Sequence, residues 1–166
     1  MGPSQSRSIE FRGQPIEIRY RGGLRDTAGN EAHAATYIRQ RLIVLQDELR
    51  HDRAEHSRIL AHELFHFAWV RLGNTSRLNW EDLLTRECRI RVRGEAGWSA
   101  EWRKLRLSAD AIANRTRAWR EYCCEAFCDT GGLIHTGVDT ECTLAKNHLR
   151  RRLAWFHGNL PAVPHI

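Results

Sequence analysis

The grouping with the clearest chemical potential is His62-Glu63-Leu64-Phe65-His66. In a helix, side chains four residues apart leave the same face, so the two imidazoles can hold one Zn²⁺ at N–Zn distances of about 2.0–2.1 Å. Glu63 stands beside the first ligand, where it can take a proton from water activated by the metal. The spacing is that of a zinc hydrolase centre, and the alternative is a structural pair of core histidines.

The flanking residues predict that the pair lies within a helix. Apolar side chains recur at helical spacing from Ile59 to Leu72, and Gly73-Asn74 supplies a C-terminal stop. We therefore expect a motif helix that packs one face into a core.

Two imidazoles bind zinc weakly, so a further ligand must come from another element. The segment from Trp119 to Asp129 places carboxylates at Glu121, Glu125 and Asp129, at positions i, i+4 and i+8 of one helical face. A carboxylate row on an otherwise apolar helix is costly to bury unless it meets a cation. The alternative is a solvated acidic face paired with Arg117 or Arg120.

The residues Ile59 to His66 after a strand, followed by a helix with Glu125-Ala-Phe-Cys128, resemble the gluzincin metallopeptidases, in particular the ImmA/IrrE family. Glu121-Tyr-Cys-Cys-Glu125-Ala-Phe is similar to the ligand helix of lethal factor, in which the first Glu binds zinc. A second gluzincin pattern, with Glu followed four residues later by Asp, favours Glu125 as ligand and Asp129 behind it. Both assignments stay open, with Glu121 preferred.

The resemblance implies a zincin-like domain acting as an intracellular zinc-dependent endopeptidase on a protein or peptide substrate, such as a regulator cleaved at one site. Phe65 and Phe127 depart from the family pattern, which usually has Gly and often has Asn there, and no helix-turn-helix accompanies the motif. The residue that stabilises the oxyanion, commonly a Tyr or His in gluzincins, is not assigned. The candidates are Tyr20, Tyr37, Tyr122, His135 and His148.

The net charge of +6 comes almost wholly from arginine, since Lys104 and Lys146 are the only lysines. Such a surface is compatible with nucleic acid, and one rival interpretation is a nucleic-acid-associated protease resembling the SprT group. The arginines are spread over several segments, however, and neither a nucleic-acid module nor a Cys-rich zinc ribbon is present. A second rival is a catalytically silent interaction protein that keeps the same fold.

The five cysteines are odd in number and lack the spacing of a secreted disulfide framework, so we expect reduced thiols. A thiolate metal site at Cys123, Cys124 and Cys128 is disfavoured, because adjacent cysteines diverge by about 100° on a helix. No apolar run spans a membrane and no signal segment opens the chain, so we expect a cytoplasmic protein. The oligomeric state is left open.

The element pattern predicts an α+β single domain over residues 1–166, with residues 1–8 frayed and a small antiparallel or mixed sheet before a helical half. Predicted strands cover residues 9–12, 15–20 and 37–45. Predicted helices after the motif helix begin at the caps Asn79 and Ser99 or Ser108, and one of them ends at Gly131-Gly132. A last helix is predicted from about Asp139 to Gly158.

Overall fold

The computed structural model describes residues 11–26, 28–161, 164 and 166. In this part of the chain, three strands precede six α-helices, with two short 3₁₀ turns at residues 38–40 and 47–51. The predicted α+β class is confirmed. The elements are β1 (Glu17–Arg21), β2 (Ala34–Tyr37), β3 (Leu42–Gln46), α1 (Arg53–Arg71), α2 (Asn74–Arg89), α3 (Trp98–Lys104), α4 (Ala109–Ala113), α5 (Arg117–Thr136) and α6 (Lys146–Asn159).

The sheet is mixed, with the order β1-β3-β2. β1 runs parallel to β3, and β2 runs antiparallel to β3, so that Ala34 pairs with Leu45 and Tyr37 with Leu42. The strand predicted over residues 37–45 is therefore wrong as a single element. The chain reverses at residues 38–40, and Arg41 closes the turn at a φ of 49°. The turn contains neither Gly nor Pro, so no sequence signal marked this reversal.

The predicted strand over residues 9–12 lies partly outside the described residues. Within them, Arg12 forms backbone hydrogen bonds with Pro164 and Ile166 rather than belonging to a strand of the sheet. The frayed start expected at residues 1–8 also lies outside them.

The motif helix α1 begins after Asp52, whose carboxylate accepts a hydrogen bond from the Glu55 N–H at 3.0 Å. It ends at Arg71, before the predicted stop. The next helix begins at Asn74 rather than at the predicted cap Asn79, which lies inside α2. Ser99 likewise lies inside α3, which follows Gly97.

The central helix of the helical half, α5, begins and ends at other residues than predicted. Ser108 caps α4 by accepting a hydrogen bond from Ala111 N–H at 3.0 Å, as predicted. The chain then breaks at Arg115, with a φ of 46°, before α5 begins. α5 continues through Gly131-Gly132 to Thr136 and is capped by Gly137, with a φ of 68°. The predicted end of this helix is wrong.

The glycine pair lies in α5 for a packing reason. A Cβ atom on Gly131 would lie 2.6 Å from the ring of Phe65, and one on Gly132 would lie 3.4 Å from the backbone nitrogen of His62. The absence of side chains therefore lets α5 approach α1 closely. The last helix also starts later than predicted, at Lys146.

The core joins α1, α2, α5 and α6 through aromatic side chains, and beside it lies a buried ion cluster. Phe127 packs face to face with Phe156, with ring centroids 5.0 Å apart. Arg152 is fully buried and forms ion pairs with Glu87 at 2.6 Å and Glu95 at 2.5 Å. Because every charge in this cluster has a partner, it fixes α6 against the loop before α3.

A membrane span requires a long and strongly apolar helix. Over the described residues, no helix meets that requirement.

Candidate metal centre

α1 presents His62 and His66 one turn apart, with ring centroids separated by 5.0 Å and ring planes at 74°. Both imidazoles line a cleft of about 320 Å³ bounded by β2, α1, α3 and α5. Glu63 and Glu125 line the same cleft. The structure therefore brings the two predicted histidines, the predicted base and one of the predicted acids together.

Glu125 of α5 lies within 4 Å of both imidazoles. Its Oε2 lies 3.3 Å from Nε2 of His62, and its Oε1 lies 3.9 Å from Nε2 of His66. Ser99 Oγ donates a hydrogen bond to Oε2 at 2.7 Å, and Arg103 lies 3.6 Å from Oε1. Burial raises the pKa of Glu125, but the hydrogen bond from His62 and the charges of His66 and Arg103 outweigh it. The net pKa is far below its usual value, so this side chain is a carboxylate at neutral pH.

Asp129 supports His62 from the other side of its ring. Its Oδ1 lies 2.7 Å from Nδ1 of His62, and its Oδ2 accepts the Ala100 N–H at 2.8 Å. Gly97 makes room for this carboxylate, since a Cβ atom there would lie 2.5 Å from Asp129 Cγ. Asp129 therefore contacts His62 on the nitrogen that faces away from Glu125. This is the position that the gluzincin pattern with Glu125 as ligand predicts for Asp129.

His66 has a sulfur atom behind its ring. Cys124 Sγ lies 3.5 Å from Nδ1 of His66. The Nδ1 atom of each histidine therefore contacts a side chain of α5, and both Nε2 atoms lie next to Glu125.

The protonation of the two imidazoles reflects these partners. Burial lowers the pKa of His62, but the charge and hydrogen bond of Asp129, with those of Glu125, raise it well above 6.5. For His66, burial is outweighed by the contact with Cys124 and by the charge of Glu125, and its pKa rises to about 8. Without a metal, both imidazoles are therefore largely in the protonated, positively charged form near neutral pH. A metal ion that binds Nε2 would displace the proton from that nitrogen.

The candidate base Glu63 is held by a residue that the sequence did not single out. Thr36 Oγ1 of β2 donates a hydrogen bond to Glu63 Oε2 at 2.5 Å. The same oxygen lies 4.0 Å from Nε2 of His66. No local sequence signal could have found Thr36, because it reaches Glu63 only through the position of β2 beside α1.

Glu121 lies elsewhere. Its side chain is 49% exposed and accepts a hydrogen bond from Arg117 Nε at 2.7 Å. Positions four residues apart drift by about 40° around a helix, so Glu121 and Asp129 differ by about 80° in direction. The expected placement of Glu121 next to the histidines is therefore wrong, and its surroundings match the solvated, arginine-paired alternative.

A thiol is also within reach of the histidines. Donor atoms of His62, His66 and Cys128 lie within 4.8 Å of one another, and this group could hold a metal ion. Cys128 is fully buried, and burial raises its pKa well above its usual value. The sequence predicted small buried cysteines here, which is correct for Cys123 and Cys128, whereas Cys124 lines the cleft.

The five candidates for an oxyanion-stabilising residue lie outside the lining of this cleft as far as the chain is described. Tyr122 is fully buried and donates a hydrogen bond to Glu95 at 2.6 Å. Tyr20 is bonded to His56 at 2.8 Å. The polar side chains that the structure places in the cleft wall, besides the motif residues, Glu125 and Thr36, are Ser99, Arg103 and Cys124.

Comparison of the chain with protein-family models, with curated proteins and with solved structures finds no match in any of the three. The resemblance to the gluzincins therefore rests on the residues from Ile59 to His66 and on the α5 segment around Glu125. The function has to be argued from the geometry of the cleft itself.

Proposed function

We propose that this chain is a zinc-dependent endopeptidase that hydrolyses a peptide bond in a protein substrate. In this proposal His62, His66 and Glu125 hold the zinc ion, and Glu63 is the general base. One observation supports it most directly. Asp129 and Cys124 contact the Nδ1 atoms of the two histidines, and both Nε2 atoms face the carboxylate of Glu125 in an open cleft.

The donor set fits zinc in its catalytic form. Two histidines and one glutamate are a known ligand set of catalytic zinc sites, in which a fourth position stays open. Asp129 behind His62 supplies the carboxylate–histidine contact that fixes a ligand's orientation. The chemistry of these groups therefore supports zinc at the mouth of the cleft.

Cys128 is the competing ligand, and two properties argue against it. A thiol must lose its proton to bind a metal, and burial raises the pKa of Cys128. Its side chain is also closed off from solvent, so a metal there would lack an open position for a substrate. Glu125 is already ionised and lines the cleft.

Zinc, when bound, supplies the polarisation of a carbonyl group and lowers the pKa of a water molecule toward about 7. Glu63 then accepts the proton of the attacking water and delivers it to the leaving amine. Thr36 holds Oε2 of Glu63 by its hydroxyl, which restricts the carboxylate to one position beside His66. Asp129 keeps the ring of His62 in a single orientation.

The position of β2 supports a peptide as the substrate. β2 is an edge strand that pairs with β3, and Ala34, Ala35 and Thr36 border the cleft. An edge strand can bind an extended peptide as an added strand, because its outer N–H and C=O groups lack partners in the sheet. Such a peptide would run past the two histidines.

Substitution of Glu63 tests the proposal. Glu63→Gln keeps the size of the side chain and the Thr36 contact but removes the base, so zinc content should stay the same. Hydrolysis of a proteome-derived peptide mixture, read by mass spectrometry, should fall by roughly 10²- to 10⁴-fold. Glu48→Gln, an exposed acid outside the cleft, is the control and should cleave as the wild type does.

Undiminished cleavage by the Glu63→Gln protein would contradict the mechanism. Zinc binding without cleavage by either form would contradict the peptidase assignment and favour an interaction protein built around a metal site.

A further inference from the structure

α3 and Leu105, the residue after it, carry a row of exposed apolar side chains beside the cleft. Trp98, Trp102 and Leu105 follow one another at i, i+4 and i+7 and are 62%, 40% and 80% exposed. The neighbouring row of the same segment contains Ser99 and Arg103, which line the cleft. A contiguous exposed apolar surface at the rim of a site is typical of a binding surface. We define the α3 patch as Trp98, Trp102, Arg103, Leu105 and Arg106.

The α3 patch is positively charged as well as aromatic. The guanidinium carbon of Arg106 lies 3.8 Å from the ring centroid of Trp102, and that of Arg103 lies 5.6 Å from it. Over the described residues, Arg106 forms no ion pair with a carboxylate. Arg103 lies 3.6 Å from Glu125, the carboxylate proposed to bind zinc. Arg103 is thus already engaged by Glu125 and Ser99, whereas Arg106 donates one hydrogen bond to Trp102 O and has further N–H donors to offer to a ligand.

Besides Glu125, two carboxylates border the α3 patch, and each has a partner outside it. Glu101 accepts a hydrogen bond from Thr143 Oγ1 at 3.1 Å. Glu141 forms an ion pair with Arg58 at 3.1 Å and lies 3.3 Å from the Trp98 N–H. Arg106 forms an ion pair with neither of them over the described residues.

The underside of α3 fixes the patch in place. Ala100 is fully buried and its N–H is bonded to Asp129. Lys104 forms an ion pair with the buried Glu95 at 2.9 Å and donates a hydrogen bond to Gly94 O at 3.0 Å. Because this backbone is already ordered, a ligand that binds the patch pays little conformational entropy.

We infer that the α3 patch binds the part of the peptide substrate that extends beyond the cleft. The patch selects peptides with an acidic side chain next to an apolar or aromatic one. The inference rests on the proposed peptidase function. Guanidinium groups bind carboxylates through paired hydrogen bonds, which gives the acidic preference. The exposed tryptophans and Leu105 supply the apolar contact.

Single-stranded nucleic acid is the other class of ligand that tryptophan and arginine side chains bind. The patch is continuous, through Ser99 and Arg103, with the cleft proposed to bind a peptide. This continuity favours the peptide, and nucleic acid becomes an outcome of the test.

The test measures binding rather than cleavage. Short fluorescein-labelled peptides with the central sequence Phe-Glu-Leu-Glu, or the matched Phe-Gln-Leu-Gln, are titrated with zinc-loaded Glu63→Gln protein and followed by fluorescence anisotropy. We expect the acidic peptide to bind about tenfold more tightly. Adding Arg106→Ala should remove about that factor and Arg106→Lys should retain part of it, whereas Trp102→Ala should weaken the binding of both peptides. Arg151→Ala, which removes an exposed arginine of α6, is the matched control and should change nothing.

Equal binding of the two peptides, or unchanged binding after Arg106→Ala in a protein with wild-type circular dichroism, would overturn the inference. Tighter binding of an oligothymidine than of the acidic peptide would also overturn it. The two proposals fail separately, because anisotropy needs no hydrolysis. Arg106-dependent binding without any cleavage by the wild type would contradict the peptidase proposal and retain the patch as an acidic-peptide site. Cleavage without a preference for the acidic peptide would contradict only the inference about the patch.

Discussion

Asp129 and His62 are joined by a 2.7 Å contact between Oδ1 and Nδ1, and the other oxygen of Asp129 accepts the N–H of Ala100. One buried carboxylate therefore orients a candidate ligand on α1 and anchors α3, the helix that carries the cleft wall. The candidate metal centre and the helix that lines the cleft therefore depend on the same side chain.

Asp129→Asn tests whether Asp129 orients the His62 ring for metal binding. The amide keeps the size of the side chain but lacks the charge that holds the His62 ring, so zinc affinity should fall about 10–100-fold. Competition with a fluorescent chelator measures that affinity. Asp139→Asn, an exposed acid before α6, is the control and should bind zinc as the wild type does. Unchanged affinity in Asp129→Asn would contradict the orienting role.

Glu125→Gln and Glu121→Gln should differ sharply in zinc content. Glu125 lies 3.3 Å from His62, whereas Glu121 is half exposed and paired with Arg117. We expect Glu125→Gln to lose zinc on dialysis and Glu121→Gln to keep it, as measured by elemental analysis. Retention by both variants, together with loss from Cys128→Ser, would transfer the third position to the thiol.

Gly131→Ala should weaken the contact between α1 and α5. Its new Cβ atom would lie 2.6 Å from the Phe65 ring, which has no free space to move into because Phe65 is fully buried. The free energy of unfolding in urea should fall by about 1–3 kcal/mol. Gly158→Ala in α6 is the matched control. No atom lies within 4 Å of its added Cβ, so its stability should stay the same or rise.

Glu95 should make the fold sensitive to acid. Burial raises its pKa, but Arg152, Lys104 and Tyr122 outweigh this and lower it from 4.5 to about 2. Its ionised form therefore stabilises the folded state fully above pH 4.5, and this contribution is lost as the pH falls toward about 2. The loss corresponds to about 3 kcal/mol.

Urea titrations at several pH values measure this loss. Glu95→Gln should be less stable than the wild type at neutral pH, because Arg152 loses a buried partner. Its stability should also fall less steeply below pH 4.5. Equal slopes for Glu95→Gln and the wild type would contradict the prediction, and Glu48→Gln should retain the wild-type slope.

Local sequence determined the motif helix and the common face of its two histidines. A spacing of four residues is enough to place His62 and His66 on one face, because the helical repeat is a property of the backbone. The same reasoning predicted β1, the cap at Ser108 and the α+β class. These features depend on neighbours along the chain.

Only the tertiary structure decided which carboxylate meets the histidines. Periodicity puts Glu121, Glu125 and Asp129 on one broad face, but the approach of α5 to α1 at Gly131 and Gly132 selects the sector that points at the cleft. The β2–β3 reversal and the contact of Thr36 with Glu63 have the same origin. They join residues far apart in the chain, and packing between elements, rather than the spacing within one, determines which side chains meet.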